Sequence, residues 1–231
     1  MPLIDRLGGD VPRGAVTVDL DDIQATVLRY RPEPYYGTHV MLHVEDAQAG
    51  REFVRRLTPH VDPAVEWWQA GESWISVAIS YTGLVALGVP EDSLQTFPEA
   101  FRVGMAARAD QLRDYGPNEP KNWEKPFGTG EMHIGVSVFS DSEEAWHRTM
   151  EMAQQQYQGF SGVTVLTVQD FGAQPGDLNP LGYRDSIGQP AIEGSGVEPL
   201  PGQGPAIKAA SSSWAAPLKP ASRCRCHSRT C

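Results

Sequence analysis

The stretch LGYRDSIGQPAIEG, residues 181–194, holds a single acid, Asp185, among glycines that include Gly182 and Gly188. Glycine lets a backbone come close to a flat or bulky group, because it has no side chain to clash with it. A carboxylate held at such a place can take up and release a proton. An aspartate between glycines is also typical of an Asx turn or a helix cap. The residues of the loop alone leave both interpretations open.

Two histidines, His39 and His43, lie within one apolar segment at positions of equal parity. On a strand such residues face the same side of the sheet, so a metal-binding pair is conceivable. A metal site needs more ligands than two, and no third ligand with suitable spacing lies nearby. The sequence therefore favours structural histidines here, and the same interpretation applies to His133 and His147.

The last residues contain all three cysteines of the chain, Cys224, Cys226 and Cys231, together with His227. These groups could bind zinc in principle, but the spacing does not match a c-type haem attachment motif. Residues 210–231 hold four basic residues and no acid, whereas the chain as a whole carries a net charge of −10. This reversal of charge favours a disordered or frame-shifted tail over a metal site, so no protein metal ligands are predicted.

The composition of the 231-residue chain is that of a globular protein, with 40% hydrophobic and 21% charged residues. The negative net charge argues against nucleic acid and anionic membranes as partners. No apolar run is long enough for a membrane span, and the first residues lack a secretory signal. Residues 1–223 contain no cysteine, which suits a reducing compartment. We therefore expect a cytoplasmic location.

The elements around these residues follow from hydrophobic patterns. Strands are predicted at 22–30, 38–45, 73–80, 132–139 and 162–171. Helices are predicted after Asp46, from Thr82, from Pro98 with an apolar stripe, and after a capping box of Ser140 and Glu143. That stripe is formed by Phe101, Met105, Ala109 and Leu112, and the last helix buries Trp146, Met150, Ala153 and Tyr157.

From residue 38 onward this order is β-α-β-β-α-β, with a helical insert between the second and third strands. It predicts a ferredoxin-like (split βαβ) α+β fold, in which an antiparallel sheet carries helices on one face. The predicted organisation is an irregular lead-in (1–21), a ferredoxin-like domain (22–172), a segment with the Asp185 loop (173–208) and a disordered tail (209–231). Fold alone indicates no function.

Several motifs resemble those of the dye-decolorizing (DyP-type) haem peroxidases. GYRDSIGQP is similar to the family's G-x-x-D-G signature. Three upstream stretches resemble the N-terminal half of the family in amino-acid sequence and in order. They are DDIQATVLRYRP, SYTGLVALGVPEDSLQTFPEAFRVGMAARADQLRD and PKNWEKPFGTGEMHIGVSVF. The resemblance covers about residues 20–208. It implies the first of two ferredoxin-like units and a peroxidase that oxidises dyes or phenols with hydrogen peroxide.

The resemblance also implies haem b as the cofactor and Asp185 as the distal acid and base. Gly182, Asp185, Ser186, Ile187 and Gln189 would then lie against the macrocycle. Ser186 departs from the signature, since a glycine usually stands there. A second departure concerns the family's proximal histidine and assisting arginine, which come from a C-terminal half that this tail does not resemble. The chain is therefore expected to be truncated, with a reading-frame shift near Ala209, and impaired in haem binding.

A different class of function stays open beside the enzyme. Ferredoxin-like units also occur as non-catalytic modules that associate through their sheets, and an exposed apolar sheet face promotes self-association. The alternative expectation is thus a homo-oligomer without catalysis.

Overall fold

The computed structural model describes residues 18–28, 35–66, 72–158, 160–172, 178–179, 181–183, 191–196, 198–199 and 204–208. The chain divides into two compact units. The larger comprises Arg31–Asp62 and Ala70–Gly182, and the smaller comprises Met1–Tyr30, Pro63–Gln69 and Tyr183–Cys231. Among the described residues, no helix combines the length and the apolar content that crossing a bilayer requires.

The described elements comprise seven short or medium α-helices and four strands. The helices are α1 (Ala25–Leu28), α2 (Ala47–Leu57), α3 (Tyr81–Ala86), α4 (Glu91–Leu94), α5 (Glu99–Val103), α6 (Ala109–Leu112) and α7 (Glu143–Tyr157). The strands are β1 (Tyr36–Val44), β2 (Ser73–Ile79), β3 (Ile134–Ser140) and β4 (Val163–Gly172). Single 3-10 turns lie at Leu20–Asp22, Thr58–His60, Ala64–Glu66, Ala106–Arg108, Gly116–Asn118 and Pro120–Asn122.

The four strands form one antiparallel sheet in the order β2-β3-β1-β4. β1 pairs with β3 in a register that places Val40 opposite Val136. With α2 between β1 and β2 and α7 between β3 and β4, this is the β-α-β-β-α-β arrangement. The predicted ferredoxin-like fold is confirmed.

One face of the sheet forms the hydrophobic core together with α2 and α7. Alternate residues of β1 point to that face, and Val40 and Leu42 are fully buried there. Phe53 of α2 is also fully buried, which on its own stabilises the fold by about 1.5–3 kcal/mol. The buried face of α7 includes Met150, Ala153 and Tyr157, as the helical spacing predicts.

The caps of the two long helices differ in how well the sequence predicts them. Asp46 caps α2 as predicted, because its Oδ1 accepts the Ala49 N–H at 2.7 Å. The predicted capping box of Ser140 and Glu143 is wrong. Ser140 belongs to β3, where its hydroxyl meets the Ser73 hydroxyl at 2.7 Å, and the hydroxyl of Ser142 caps α7 instead.

Substituting Ser142 by alanine is expected to lower the free energy of unfolding by about 1 kcal/mol, because the Ala145 N–H loses its acceptor. Ser142→Asp keeps an acceptor beside that N–H and is expected to retain the stability of the unmodified chain. Urea denaturation measures both variants. Equal stability of Ser142→Ala and the unmodified chain would contradict the assigned cap.

The helical insert comprises residues 80–132, between β2 and β3. The single helix predicted from Pro98 is wrong, since α5 ends at Gly104, whose φ of 73° breaks the helical path. A 3-10 turn and α6 follow. The predicted stripe is accordingly not a buried face, and Phe101, Met105 and Leu112 are exposed.

The predicted strand at 22–30 is wrong over the residues that the structure describes. Leu20–Asp22 form a 3-10 turn and Ala25–Leu28 form α1. In this smaller unit Leu20, Ile23 and Val27 pack around the fully buried Ala64. The Ala64 N–H also donates to the Ile23 carbonyl at 2.7 Å. The β-branched residues therefore serve packing rather than a strand, a case of tertiary contacts overriding propensity.

Candidate functional site

A tight turn precedes the loop with the single acid. The Gly182 N–H donates to the Asn179 carbonyl at 2.9 Å, and the Leu181 N–H donates to Asn179 Oδ1 at 3.0 Å. The second bond makes this an Asx turn, so an Asx turn does occur here but at Asn179. Gly182 has a φ of 83°, a conformation that favours glycine, and among the described residues no atom lies within 4 Å of a Cβ built on it.

The residues beside Gly182 are open to solvent. Leu181 is 81% exposed and Tyr183 is 70% exposed. Asp185, Ser186, Ile187 and Gln189 lie outside the described residues. The described residues leave the backbone at Gly182 accessible, and the part in haem binding that the resemblance assigns to this residue stays a prediction.

His39 is held by neighbours on the sheet face opposite the helices. Its Nδ1 lies 2.8 Å from the Ser137 hydroxyl, and its ring stacks on Phe171 with the centroids 4.2 Å apart. Burial lowers the pKa of His39, because desolvation disfavours the charged ring. These contacts account for His39 as a structural histidine.

His43 and His133 form a stacked pair, with ring centroids 4.4 Å apart and planes inclined by 26°. His43 lies on the same face of β1 as His39, as their spacing predicts. Its Nδ1–H donates to the Glu131 carbonyl at 2.9 Å. Sequence spacing assigns His133 no partner, whereas the pairing of Leu42 with Ile134 brings the neighbouring residues His43 and His133 together.

His133 is buried and accepts a backbone hydrogen bond. The Val44 N–H donates to its Nδ1 at 3.0 Å, so that nitrogen must be unprotonated. Burial is the largest cause that lowers the pKa of His133, and the neighbouring His43 lowers it further. Glu131 acts in the opposite direction. The neutral ring is therefore the form that this structure holds.

His133 also closes the helical insert. Its carbonyl accepts the Ser80 N–H at 3.0 Å. Ser80, the first residue of the insert, therefore contacts His133, which directly follows the last residue of the insert. The Thr82 hydroxyl donates to the Gly130 carbonyl at 2.8 Å, which ties the same two ends together. We call the contacts among Ser80, Thr82, Gly130 and His133 the neck of the insert.

A partly buried hydrogen-bond chain joins α7, β1 and β4. Trp146 Nε1–H donates to Thr38 Oγ1 at 2.9 Å, and the Thr38 hydroxyl donates to Asp170 Oδ1 at 2.7 Å. Thr38 is fully buried, so both bonds offset the cost of burying its hydroxyl. No local pattern in the sequence indicates these bonds, because their members lie on three elements that are far apart along the polypeptide.

The part of the chain that the structure describes contains no group of three histidine, cysteine, aspartate or glutamate side chains that could hold a metal ion. The three cysteines and His227 lie outside the described residues. The expectation that they form no metal site stays a prediction.

A family model and a curated relative point to the same protein family. The model of the DyP dimeric alpha+beta barrel domain matches residues 38–170. A dye-decolorizing peroxidase of Mycena epipterygia is 32% identical over 134 residues, which are 57% of this chain and 24% of that protein. The chain thus spans about a quarter of this relative's length.

Solved structures show the same fold. An ancestral D-type dye-decolorizing peroxidase aligns with a TM-score of 0.69 and 23% identity, over 82% of this chain and 43% of its own. A point mutant of the dye-decolorizing peroxidase from Pleurotus ostreatus aligns with a TM-score of 0.69 and 22% identity, over 84% and 44%. Since the family domain covers more than half of the sequence, the chain belongs to the DyP-type haem peroxidase family and corresponds to its N-terminal part.

Proposed function

We propose that the chain serves haem-dependent peroxidase chemistry, in which hydrogen peroxide oxidises dyes or phenolic compounds. The observation that carries this proposal is the family domain at 38–170, followed by the G-Y-R-D loop that resembles the family's signature. The open turn at Gly182 supports it, because a planar cofactor needs such an approach to the backbone.

Asp185 is the proposed proton carrier. Haem, when bound, supplies the iron-centred redox chemistry, including the two electrons that cleavage of the O–O bond requires. The Asp185 carboxylate would take the proton from one oxygen of hydrogen peroxide and deliver it to the other. The second oxygen would then leave as water when the O–O bond breaks. A single carboxylate serves as base and then as acid when it can reach both oxygens.

Gly182, Ser186, Ile187 and Gln189 are proposed to bind the face of the cofactor, together with Asp185. Ser186 adds a Cβ and a hydroxyl where the signature has glycine, and the hydroxyl can donate a hydrogen bond. The proposed cofactor is haem b. The reducing partner is an organic substrate that gives electrons at the haem edge or through surface tryptophan and tyrosine residues.

We further propose that residues 209–231 do not supply the proximal iron ligand. The basic, acid-free composition from Ala210 onward departs from the family pattern, and His227 is the single histidine after Asp185. An axial ligand holds haem iron and sets its potential.

We also propose a cytoplasmic location for the chain. The absence of cysteine from residues 1–223 supports it, because such a sequence suits a reducing compartment.

Titration of the purified chain with haemin, with and without imidazole, tests these proposals. Imidazole can replace a missing axial histidine as a small-molecule ligand. We expect weak haem uptake without imidazole and a saturable Soret band with it. The rescued complex is expected to oxidise a phenolic dye when peroxide is added.

The variant His227→Ala is the control for the tail, and it is expected to bind haem as the unmodified chain does. A stoichiometric Soret band without imidazole that disappears in His227→Ala would show that the tail supplies the ligand. No saturable band under either condition would contradict haem binding by this chain.

A second candidate function is self-association through the sheet. β4 is ten residues long and, within the described part of the chain, pairs with β1 alone. Val165 and Val168 on this strand are 43% and 51% exposed. A long edge strand with exposed apolar residues is a template for pairing with a second copy. Size-exclusion chromatography distinguishes the candidates: a colourless, discrete oligomer favours the module, and a haem-loaded species with peroxidase activity favours the enzyme.

A further inference from the structure

The neck holds both ends of the helical insert at a single residue, His133. Its carbonyl accepts the Ser80 N–H, and its ring nitrogen Nδ1 accepts the Val44 N–H from β1. Gly83 of α3 lies so close that a Cβ built on it would overlap the same carbonyl oxygen. The conformation of His133 therefore fixes where the insert meets the sheet.

Protonation of the His133 ring is incompatible with this geometry. A protonated Nδ1 is a donor and cannot accept the Val44 N–H, so two donors would face each other at a buried position. The stacked His43 ring adds to the conflict, because at a centroid distance of 4.4 Å it disfavours a positive charge on His133.

The surrounding charges do not remove the conflict. His43 on β1 disfavours the charged ring, and Glu131 at the end of the insert favours it. α3 packs against the His133 carbonyl and carries no charged side chain, with Tyr81 as its one titratable residue. Glu131 is exposed, so solvent screens its charge.

We propose that the stacked pair of His43 and His133 is an acid-sensitive latch, which holds the neck of the helical insert closed when the His133 ring is neutral and releases it when that ring is protonated. This device acts on the insert as a unit, because the neck joins both of its ends. The contacts that carry this proposal lie among the described residues and do not include Asp185.

The direction of the effect follows from linkage. The pKa of His133 in the closed state lies below the ordinary histidine value of 6.5. The open state therefore binds more protons in the window between the two values. The latch contributes its full stability above about pH 6.5 and loses it as the pH falls through the lowered value.

Hydrogen exchange of the full chain tests the latch. The observable is the protection factor of the Val44 and Ser80 amides, measured at about pH 7.5 and about pH 4.5 on either side of the histidine range. In the unmodified chain we expect protection to fall at the lower pH. The expected fall is about tenfold for each unit by which the pKa in the closed state lies below that in the open state.

Three variants make the test specific. Asparagine places an Oδ1 near the position of Nδ1, so His133→Asn keeps an acceptor for Val44 and is expected to lose the pH dependence. His43→Phe keeps a stacked ring without a charge and is expected to reduce the fall. His147→Asn changes a ring on the exposed side of α7 and is expected to behave as the unmodified chain.

The proposal is overturned if protection in the unmodified chain is equal at both pH values, or if His133→Asn shows the same fall as the unmodified chain. If His133→Asn does not fold, His43→Phe decides, since a full fall in that variant contradicts the paired latch.

Discussion

Asp185→Asn is expected to lower the rate of peroxide-driven dye oxidation by about 10²- to 10⁴-fold in the chain loaded with haem and imidazole. The amide has nearly the same size as the carboxylate, but it cannot take a proton from hydrogen peroxide at ordinary pH. Haem uptake should change little, because the substitution removes neither the open turn at Gly182 nor the imidazole ligand. The measurement is the initial rate of dye oxidation at a fixed, saturating haem content.

Asp92→Asn is the matched control, since it removes one negative charge from an exposed position in α4. It is expected to keep the full rate. Asp185→Glu retains an acid on a longer side chain, and an intermediate rate is expected because the proton has a different distance to travel. A full rate in Asp185→Asn would exclude this residue as the acid and base.

Gly83→Ala is expected to destabilise the larger unit by about 3 kcal/mol, the upper end of the usual range for overpacking. Helix propensity alone predicts the opposite sign, because alanine in a helix is more favourable than glycine by about 1 kcal/mol. Packing decides here, since the added methyl group would overlap the His133 carbonyl oxygen and lie 2.8 Å from its carbon. Backbone atoms at such short distances must move apart, and this movement opens the neck.

Urea denaturation of Gly83→Ala and of Gly135→Ala measures this effect. At Gly135 the nearest atom to a built Cβ is Met41 Sδ at 3.5 Å, an ordinary contact with a flexible side chain. Gly135→Ala is therefore expected to change the free energy of unfolding by less than about 1 kcal/mol. If Gly83→Ala is as stable as the unmodified chain, the close approach of α3 to the His133 carbonyl is incorrect.

The order of strands and helices was predictable because each buried face repeats with the period of its element. Local signals failed where a contact distant in sequence decided the structure. Ser140 is a good cap by type, but pairing with β1 and β2 extends β3 through it and moves the cap to Ser142. The apolar stripe after Pro98 fails for a local reason instead, because Gly104 at positive φ ends a helix that the spacing alone would continue.

The candidate site was predictable to a smaller extent. The composition of the Asp185 loop alone favours a turn over a proton carrier, and the family resemblance reverses that preference. The His43 and His133 pair depends on the register of β1 and β3, which places Leu42 opposite Ile134 and so brings the histidines next to them into contact. Hydrophobic patterns alone do not fix which residues of two strands meet, so the pair could not be predicted from them.

The closed neck also bears on how the chain reaches its fold. Ile79 and Ile134 are partners in the sheet, although residues 80–133 separate them along the chain. Bringing the two ends of this intervening segment together costs about 2 kcal/mol more in loop-closure entropy than closing a hairpin turn of about four residues. β2 and β3 are thus the two arms of an interrupted β-hairpin. Replacing residues 81–132 with a short turn would raise the share of local contacts and should speed the pairing of these strands.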